Sequence, residues 1–152
     1  MTVNVPAGGK RGVPFPRFFA RLGNRMMVGR FGRGGARTGG GIATLVLETI
    51  GAKSGEVRRV LLGFLPEEDD AWLVMASLAG AARNPAWLHN LAAHPDATAV
   101  FDGDRRVDVR AESVAGDDLV AAWGRIEREA PEYAGYRSKT DREIAVVRLR
   151  RR

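Results

Sequence analysis

The chain has 152 residues, enough for one domain with a substantial core, and its 45% hydrophobic and 28% charged content is that of a soluble globular protein. It has no cysteine and only two histidines, His89 and His94, which excludes a disulfide framework and a thiolate metal site, and no metal centre is expected. The net charge of +6 sits in one arm: residues 1–41 contain Lys10, Arg11, Arg17, Arg21, Arg25, Arg30, Arg33 and Arg37 and no acidic residue, so the rest holds 24 − 8 = 16 basic against 18 acidic residues, and no nucleic-acid partner is expected of it.

The arm opens on MTVNVPAGGKRG, a polar segment expected to be loosely ordered. In PFPRFFARLGNRMMVGRF, which follows, Phe15, Phe18, Phe19, Leu22 and Met26 recur at helical spacing, while Arg17, Arg21 and Arg25 step by four along another face. A basic amphipathic helix of this kind either docks on the protein body or lies on an anionic membrane surface through residues 15–31. GRGGARTGGG then reads as a Gly-rich linker, dividing an arm, 1–41, from a barrel domain, 42–152. IATLVLETI (42–50) and EVRRVLLGFL (56–65) are rich in β-branched and aliphatic residues and read as two strands joined by a short turn. PEEDD makes a second turn, and AWLVMAS (71–77) a third strand.

NPAWLHNLAAHP reads as a short helix with Asn84 as N-cap and Pro85 at its first position. ATAVFDGDRRVDVRAESV is a hairpin in which Asp102-Gly103 predicts a type I′ turn. GDDLVAAWGRIEREA is a helix with Leu119, Trp123 and Ile126 as its apolar stripe, ended by Pro131. PEYAGYRSKTDRE is expected as a polar loop carrying both tyrosines, and IAVVRLRRR as a sixth strand. Hairpin connections without regular strand–helix alternation give a mainly β fold with peripheral helices (α+β): a six-stranded, largely antiparallel barrel. No apolar run approaches the roughly 18 residues of a membrane span, and no signal-like apolar stretch opens the chain. The expected location is therefore cytoplasmic, peripheral at the inner membrane face where the helix lies on lipid.

The turn GAKSGE (51–56) sets a lysine and a serine between glycines. A P-loop needs glycine directly before the lysine and runs from a strand into a helix; here Ala52 precedes Lys53 and a strand follows. Successive backbone N–H groups of a turn can still cradle an anion. The same residues also suit a solvated turn with one surface lysine. His89 and His94 are five apart, so they do not share a helical face as i, i+4 ligands would, and both read as structural or solvated.

Three motifs in order carry a resemblance. The first holds Gly51, Lys53, Ser54, Gly55, Arg58 and Leu62; the second Ala76, Ser77, Gly80, Pro85, Trp87, Asn90 and Leu91; the third Pro131, Tyr133, Tyr136, Thr140, Asp141, Arg142 and Ile144. Over residues 44–148 this order resembles the deazaflavin-dependent nitroreductase family of actinobacteria, split β-barrel proteins related to FMN-binding barrels. The chain departs from that pattern at Ala52 and Leu78, where the family has Arg and often Lys, at Glu48, at Leu61 and Ala145 in place of prolines, and at Gly63 and Ala130 in place of tyrosines found in some members.

The resemblance implies coenzyme F-420, a deazaflavin hydride carrier with a ribityl-phosphate and an oligoglutamate tail. It implies an oxidoreductase that passes hydride from the reduced coenzyme to a small electron-poor acceptor: an enone, a quinone or a nitroaromatic. The coenzyme contacts it implies are Lys53, Ser54, Gly55, Arg58, Leu61, Leu62, Ala76, Ser77, Leu78, Gly80, Arg83, Trp87 and Asn90. Lys53 and Arg58 would supply charge to the phosphate, and Arg59 and Arg83 would compensate for Ala52 and Leu78. Catalytic roles fall to Tyr133, Tyr136 and Ser77, whose hydroxyls can meet an oxyanion growing on the acceptor. Arg142 beside Asp141 reads as a structural pair. The alternatives are the same fold holding FMN or haem, and a non-enzymatic binder of a fatty acid or another hydrophobic ligand, with Leu78 and Gly63 lining an apolar pocket.

Overall fold

In the computed structural model, residues 2–31, 38 and 40–152 are described. The strands are β1 Thr44–Ile50, β2 Val57–Glu67, β3 Ala71–Met75, β4 Asp96–Phe101, β5 Arg105–Ser113 and β6 Val146–Arg151. They close into a barrel in the order β1-β2-β3-β6-β5-β4, every neighbouring pair antiparallel, as the hairpin-rich sequence predicts. The helices are α1 Arg17–Phe31, α2 Ala86–Ala93, α3 Gly116–Glu129 and α4 Pro131–Ser138.

Period-two alternation along the strands sorts their side chains between the barrel interior and two outer layers. Leu45 and Leu47 of β1 face inward with Leu62 and Phe64 of β2. Val46 and Leu61, one residue out of phase with them, face outward and meet Phe31 and Val28 of α1. A second outer layer sets Leu65, Leu73, Met75 and Val146 against Trp123 and Ile126 of α3 and Tyr133 of α4. The interior is filled by large rings: Phe101 lies 5.4 Å from Phe64 and 4.8 Å from Trp72, centroid to centroid. Trp87, Leu88 and Leu91 of α2 join the same cluster. That packing accounts for the buried Trp87.

One wall of the barrel is split. β2 pairs with β1 from Val57 to Gly63, but with β3 only from Phe64 to Glu67. Along residues 57–63 the edge on the β3 side therefore has no strand partner, and other groups meet it. Asn24 of α1 donates to the Arg59 carbonyl (2.7 Å) and accepts from the Leu61 N–H (3.1 Å), imitating one residue of a strand.

Four local expectations are corrected. Residues 131–138, expected as polar loop, are helix α4; Pro131 ends α3 and also occupies the first turn of the next helix, where its missing N–H has no cost. Asn84 is not the N-cap of α2. Pro85 takes that position without a side-chain bond, and Asn84 instead donates to the Pro6 carbonyl (2.7 Å). In the β4–β5 hairpin the connection is three residues, 102–104, and the left-handed residues are Gly103 (φ 76°) and Asp104 (φ 59°), not Asp102.

Fourth, the segment read as loose is bound to the barrel along its length. Val3 is buried in the interior cluster, Ser113 N–H donates to the Thr2 carbonyl, and the Asn4 N–H donates to the Ser113 hydroxyl. Farther along, Gly9 N–H donates to Ala82 O and Val13 N–H to Gly80 O, while the Asp141 carboxylate accepts from the Lys10 and Arg11 N–H groups. Residues 2–13 of the expected 1–41 arm are thus a strap on the barrel end. Residues 32–37 and 39 of the Gly-rich stretch lie outside the described residues.

Candidate functional site

Antiparallel register puts the end of β1, the start of β2, the end of β3 and the start of β6 at one end of the barrel. Two of the three sequence motifs meet there. The turn Gly51–Glu56 hangs between β1 and β2, and the loop 76–85 leads from β3 into α2. Asn90 of α2 ties helix to turn: its carboxamide oxygen accepts the Ala52 N–H (3.0 Å) and its nitrogen donates to the Thr49 hydroxyl (3.1 Å).

Most of the turn's polar groups are spent on its own shape. Gly51 N–H donates to Glu56 O, Gly55 N–H to Gly51 O, and Glu56 N–H to the Ser54 hydroxyl. Gly55 is left-handed (φ 71°), where glycine carries no steric penalty. Among the described residues the N–H groups of Lys53 and Ser54, the Lys53 ammonium and the proton of the Ser54 hydroxyl are the donors left over. Arg58 is exposed and paired with exposed Glu56 at 3.2 Å.

The loop after β3 is held from behind by Arg142, only 4% exposed. Its guanidinium donates to the carbonyls of Ala81 (2.8 Å), Ala76 (3.0 Å), Ser77 (2.7 Å) and Glu143 (3.4 Å), and to the Asn84 side chain (3.5 Å). Burial alone pulls its pKa below the ordinary arginine value. Asp141 is not its partner: that carboxylate faces the strap, where the Arg11 and Lys10 N–H groups hold its pKa down. Within the loop, Leu78 (φ 42°), Ala79 (φ 54°) and Gly80 (φ 84°) are consecutive left-handed residues.

Ser77 is buried in the loop, with its carbonyl committed to Arg142. Arg83, expected to compensate for missing charge, donates to the Phe15 carbonyl just before α1. Burial, and then the charge of Arg17, lower its pKa, so the two arginines share one region. Leu61 lies outside the barrel under α1, and Leu62 packs toward the interior, so the two do not line one space. Arg59 pairs with Glu48 (2.8 Å) on the barrel wall.

The tyrosines stack edge to face, 5.6 Å apart, yet their surroundings differ. Tyr133 is buried, with its hydroxyl close against Gly63 at the unpaired edge of β2. A Cβ on Gly63 would fall 2.5 Å from that oxygen, so the glycine and the tyrosine fit together. Burial, then Glu132, then Tyr136, push the Tyr133 pKa well above the phenol range. Tyr136 is half-buried and borders the loop: a Cβ on Gly80 would fall 2.9 Å from its carbonyl oxygen. The sequence reading missed Asn24 and Thr49; neither belongs to a motif, and only tertiary pairing gives them a role.

The family model described as F420H(2)-dependent quinone reductase matches residues 21–150. An F420H(2)-dependent quinone reductase of Mycobacterium tuberculosis is 38% identical over 135 residues, covering 87% of this chain and 89% of the relative. A solved F420-H2 dependent reductase (FDR-A) superposes with TM-score 0.62 at 33% identity, covering 70% of this chain and 92% of the other. A chain solved as a domain-swapped dimer gives TM-score 0.64 at 27% identity, covering 89% and 99%.

Proposed function

The chain belongs to the F420H(2)-dependent quinone reductase family, and from that premise we propose that it passes hydride from reduced coenzyme F-420 to a quinone-type acceptor at the split end of its barrel. The observation that carries the placement is the Asn90 bridge, which fixes the turn 51–56 beside the helix that follows the loop 76–85. The coenzyme supplies the hydride chemistry; the chain supplies binding, orientation and a proton.

The donors left over in the turn fit a phosphate. The Lys53 and Ser54 N–H groups, the Ser54 hydroxyl and the Lys53 ammonium would hold it, with Gly55 permitting the turn. Arg58 would join by exchanging its exposed pair with Glu56 for the ligand. Ala76, Ser77, Leu78 and Gly80 would border the ring, and Arg142 fixes the backbone that carries them. As negative charge grows on the acceptor oxygen, a hydroxyl donor stabilises it. Tyr136 is the better candidate. The Tyr133 hydroxyl sits in the core against Gly63, where it orders the helix bearing Tyr136.

Helix α1 gives the acceptor a route. Phe18, Phe19, Leu22, Met26 and Met27 are exposed, contrary to docking of that face on the body, and the helix holds the barrel through Asn24, Val28 and Phe31 instead. No helix among the described residues is long and apolar enough to cross a membrane. An exposed apolar face flanked by Arg17, Arg21, Arg25 and Arg30 suits the surface of an anionic bilayer, the solvent from which an apolar quinone would be drawn. The test is anaerobic titration of the protein with F-420, then oxidation of the reduced coenzyme with menadione, both followed optically. Saturable binding and quinone-dependent oxidation are expected; a protein that binds FMN or haem but not F-420 would sink the proposal.

A further inference from the structure

We infer that Arg142 is a positioning residue for the coenzyme: its guanidinium fixes the shape of the loop 76–84 and thereby the face that the loop presents. The inference rests on the function proposed above for its ligand, and on geometry for its mechanism. Arg142 is only 4% exposed, and a guanidinium taken out of water is expensive to desolvate. A purely apolar side chain would fill the space at less cost, so the charge has to be offset by what it organises. Here it is offset without a carboxylate, by backbone carbonyls and the Asn84 carboxamide oxygen, and three of the carbonyls, Ala76, Ser77 and Ala81, bracket the left-handed run at 78–80. Non-glycine residues at positive φ persist only where their surroundings over-determine them. The flanks of the run are gripped by Arg142, and its Gly80 carbonyl accepts from the Val13 N–H of the strap.

The chemistry requires arginine. The bonds leave from three nitrogens on different edges of one rigid plane, Nε to Ala81, Nη1 to Ala76 and Nη2 to Ser77. A lysine ammonium is a single point with three donors and cannot reach carbonyls spaced around such a fork. Arg142→Lys therefore keeps charge and most of the volume while releasing the loop, and it separates positioning from bulk folding.

The experiment compares Arg142→Lys with the wild-type chain well below either melting temperature. Backbone amide resonances of residues 77–83 should shift while those of the turn 51–56 stay in place, a difference read without coenzyme. The dissociation constant for F-420 should rise at least tenfold, and turnover with menadione should fall even at saturating coenzyme. Coenzyme affinity within twofold of wild type overturns the inference, and so does an equal disturbance of the 51–56 amides, which would mean general loosening. If the lysine variant does not fold, the wild-type protein still decides: the Arg142 Nε–H resonance should shift on saturation with F-420, and an unmoved resonance overturns the inference. A wild-type chain that fails to bind F-420 at all sinks the proposed function instead, leaving the loop-ordering result to stand on the amide shifts.

Discussion

The arginines of the barrel wall and those of α1 live under different rules. On the wall Arg59 and Arg106 share Glu48; Arg148 meets Glu67 at 2.7 Å; Arg150 meets Glu112 at 3.0 Å; Arg110 meets Asp96 at 3.0 Å; and Arg151 meets Asp70 at 3.2 Å. These are largely cross-strand pairs, brought together by the pleat and register of an antiparallel sheet. On α1, Arg17, Arg21, Arg25 and Arg30 meet no carboxylate among the described residues. Charge on the wall is neutralised within the molecule, whereas charge on the helix is left for something outside it. The same contrast marks the barrel end proposed for the coenzyme, where Lys53 is unpaired among the described residues while Arg58 and Arg59 have partners.

The sharpest way to break this comparison is to remove the helix charge. Each arginine near an anionic bilayer contributes about 1 kcal/mol. Replacing Arg17, Arg21, Arg25 and Arg30 together by Gln should therefore weaken sedimentation with phosphatidylglycerol vesicles by roughly 10³-fold. High salt should mimic the loss, since surface attraction is screened. Vesicle binding that ignores both the substitutions and the salt would remove membrane docking from the proposal.

A smaller effect is expected on the wall. Burial works to raise the Glu48 pKa, but the hydrogen bonds and charges of Arg59 and Arg106 outweigh it, so the net shift is downward from 4.5. A carboxylate depressed in the folded state stabilises above its unfolded pKa and loses that contribution as pH falls through the folded value. Thermal stability should therefore decline below about pH 4.5, and Glu48→Gln should flatten part of that decline. At neutral pH the variant should be only slightly less stable than the wild-type chain, because both arginine partners are half exposed and solvent screens the pairs. Calorimetry from pH 3 to 7 measures it; a profile unchanged by the substitution would show that the wall pairs are passive.

At the turn, Lys53→Ala should weaken F-420 binding about five-fold, the value of one screened charge-assisted contact. The loss should shrink further at high salt. The smallest and most selective effect separates the tyrosines. Tyr133→Phe removes a buried hydroxyl packed against Gly63 and should lower stability by about 1 kcal/mol with little change in turnover. Tyr136→Phe should lower turnover several-fold with the melting temperature unmoved. The reverse assignment, or two silent variants, would take the donor role away from Tyr136.

The sequence made the barrel legible because strand pattern and turn chemistry are local. Runs of β-branched and aliphatic residues in β1 and β2, alternating residues in β4 and β5, and short connections within each pair read as antiparallel hairpins. It also exposed the three motifs, since residue types at fixed spacing survive without coordinates. The third motif, which carries both tyrosines, misled, however: PEYAGYRS has few apolar residues and opens on a helix-ending proline, yet it folds as a helix because Tyr133 reaches the core beside Trp123 and Ile126. Propensity was overridden by burial.

What the sequence determined by itself was the inventory: a basic amphipathic helix, six strands, a lysine-bearing turn and a small-residue loop. Only the tertiary structure decided how each is used. The strap 2–13 reads as disordered because its bonds go almost entirely to residues more than sixty positions away, and no local pattern records them. Arg142 reads as half of a pair with its neighbour in sequence, yet a guanidinium takes whichever acceptors its buried position offers, and the fold delivered the carbonyls of a loop sixty residues earlier. Sequence spacing encodes which residues can share a face; which buried polar group finds which partner is settled only when the chain closes, because every such group must be satisfied at once.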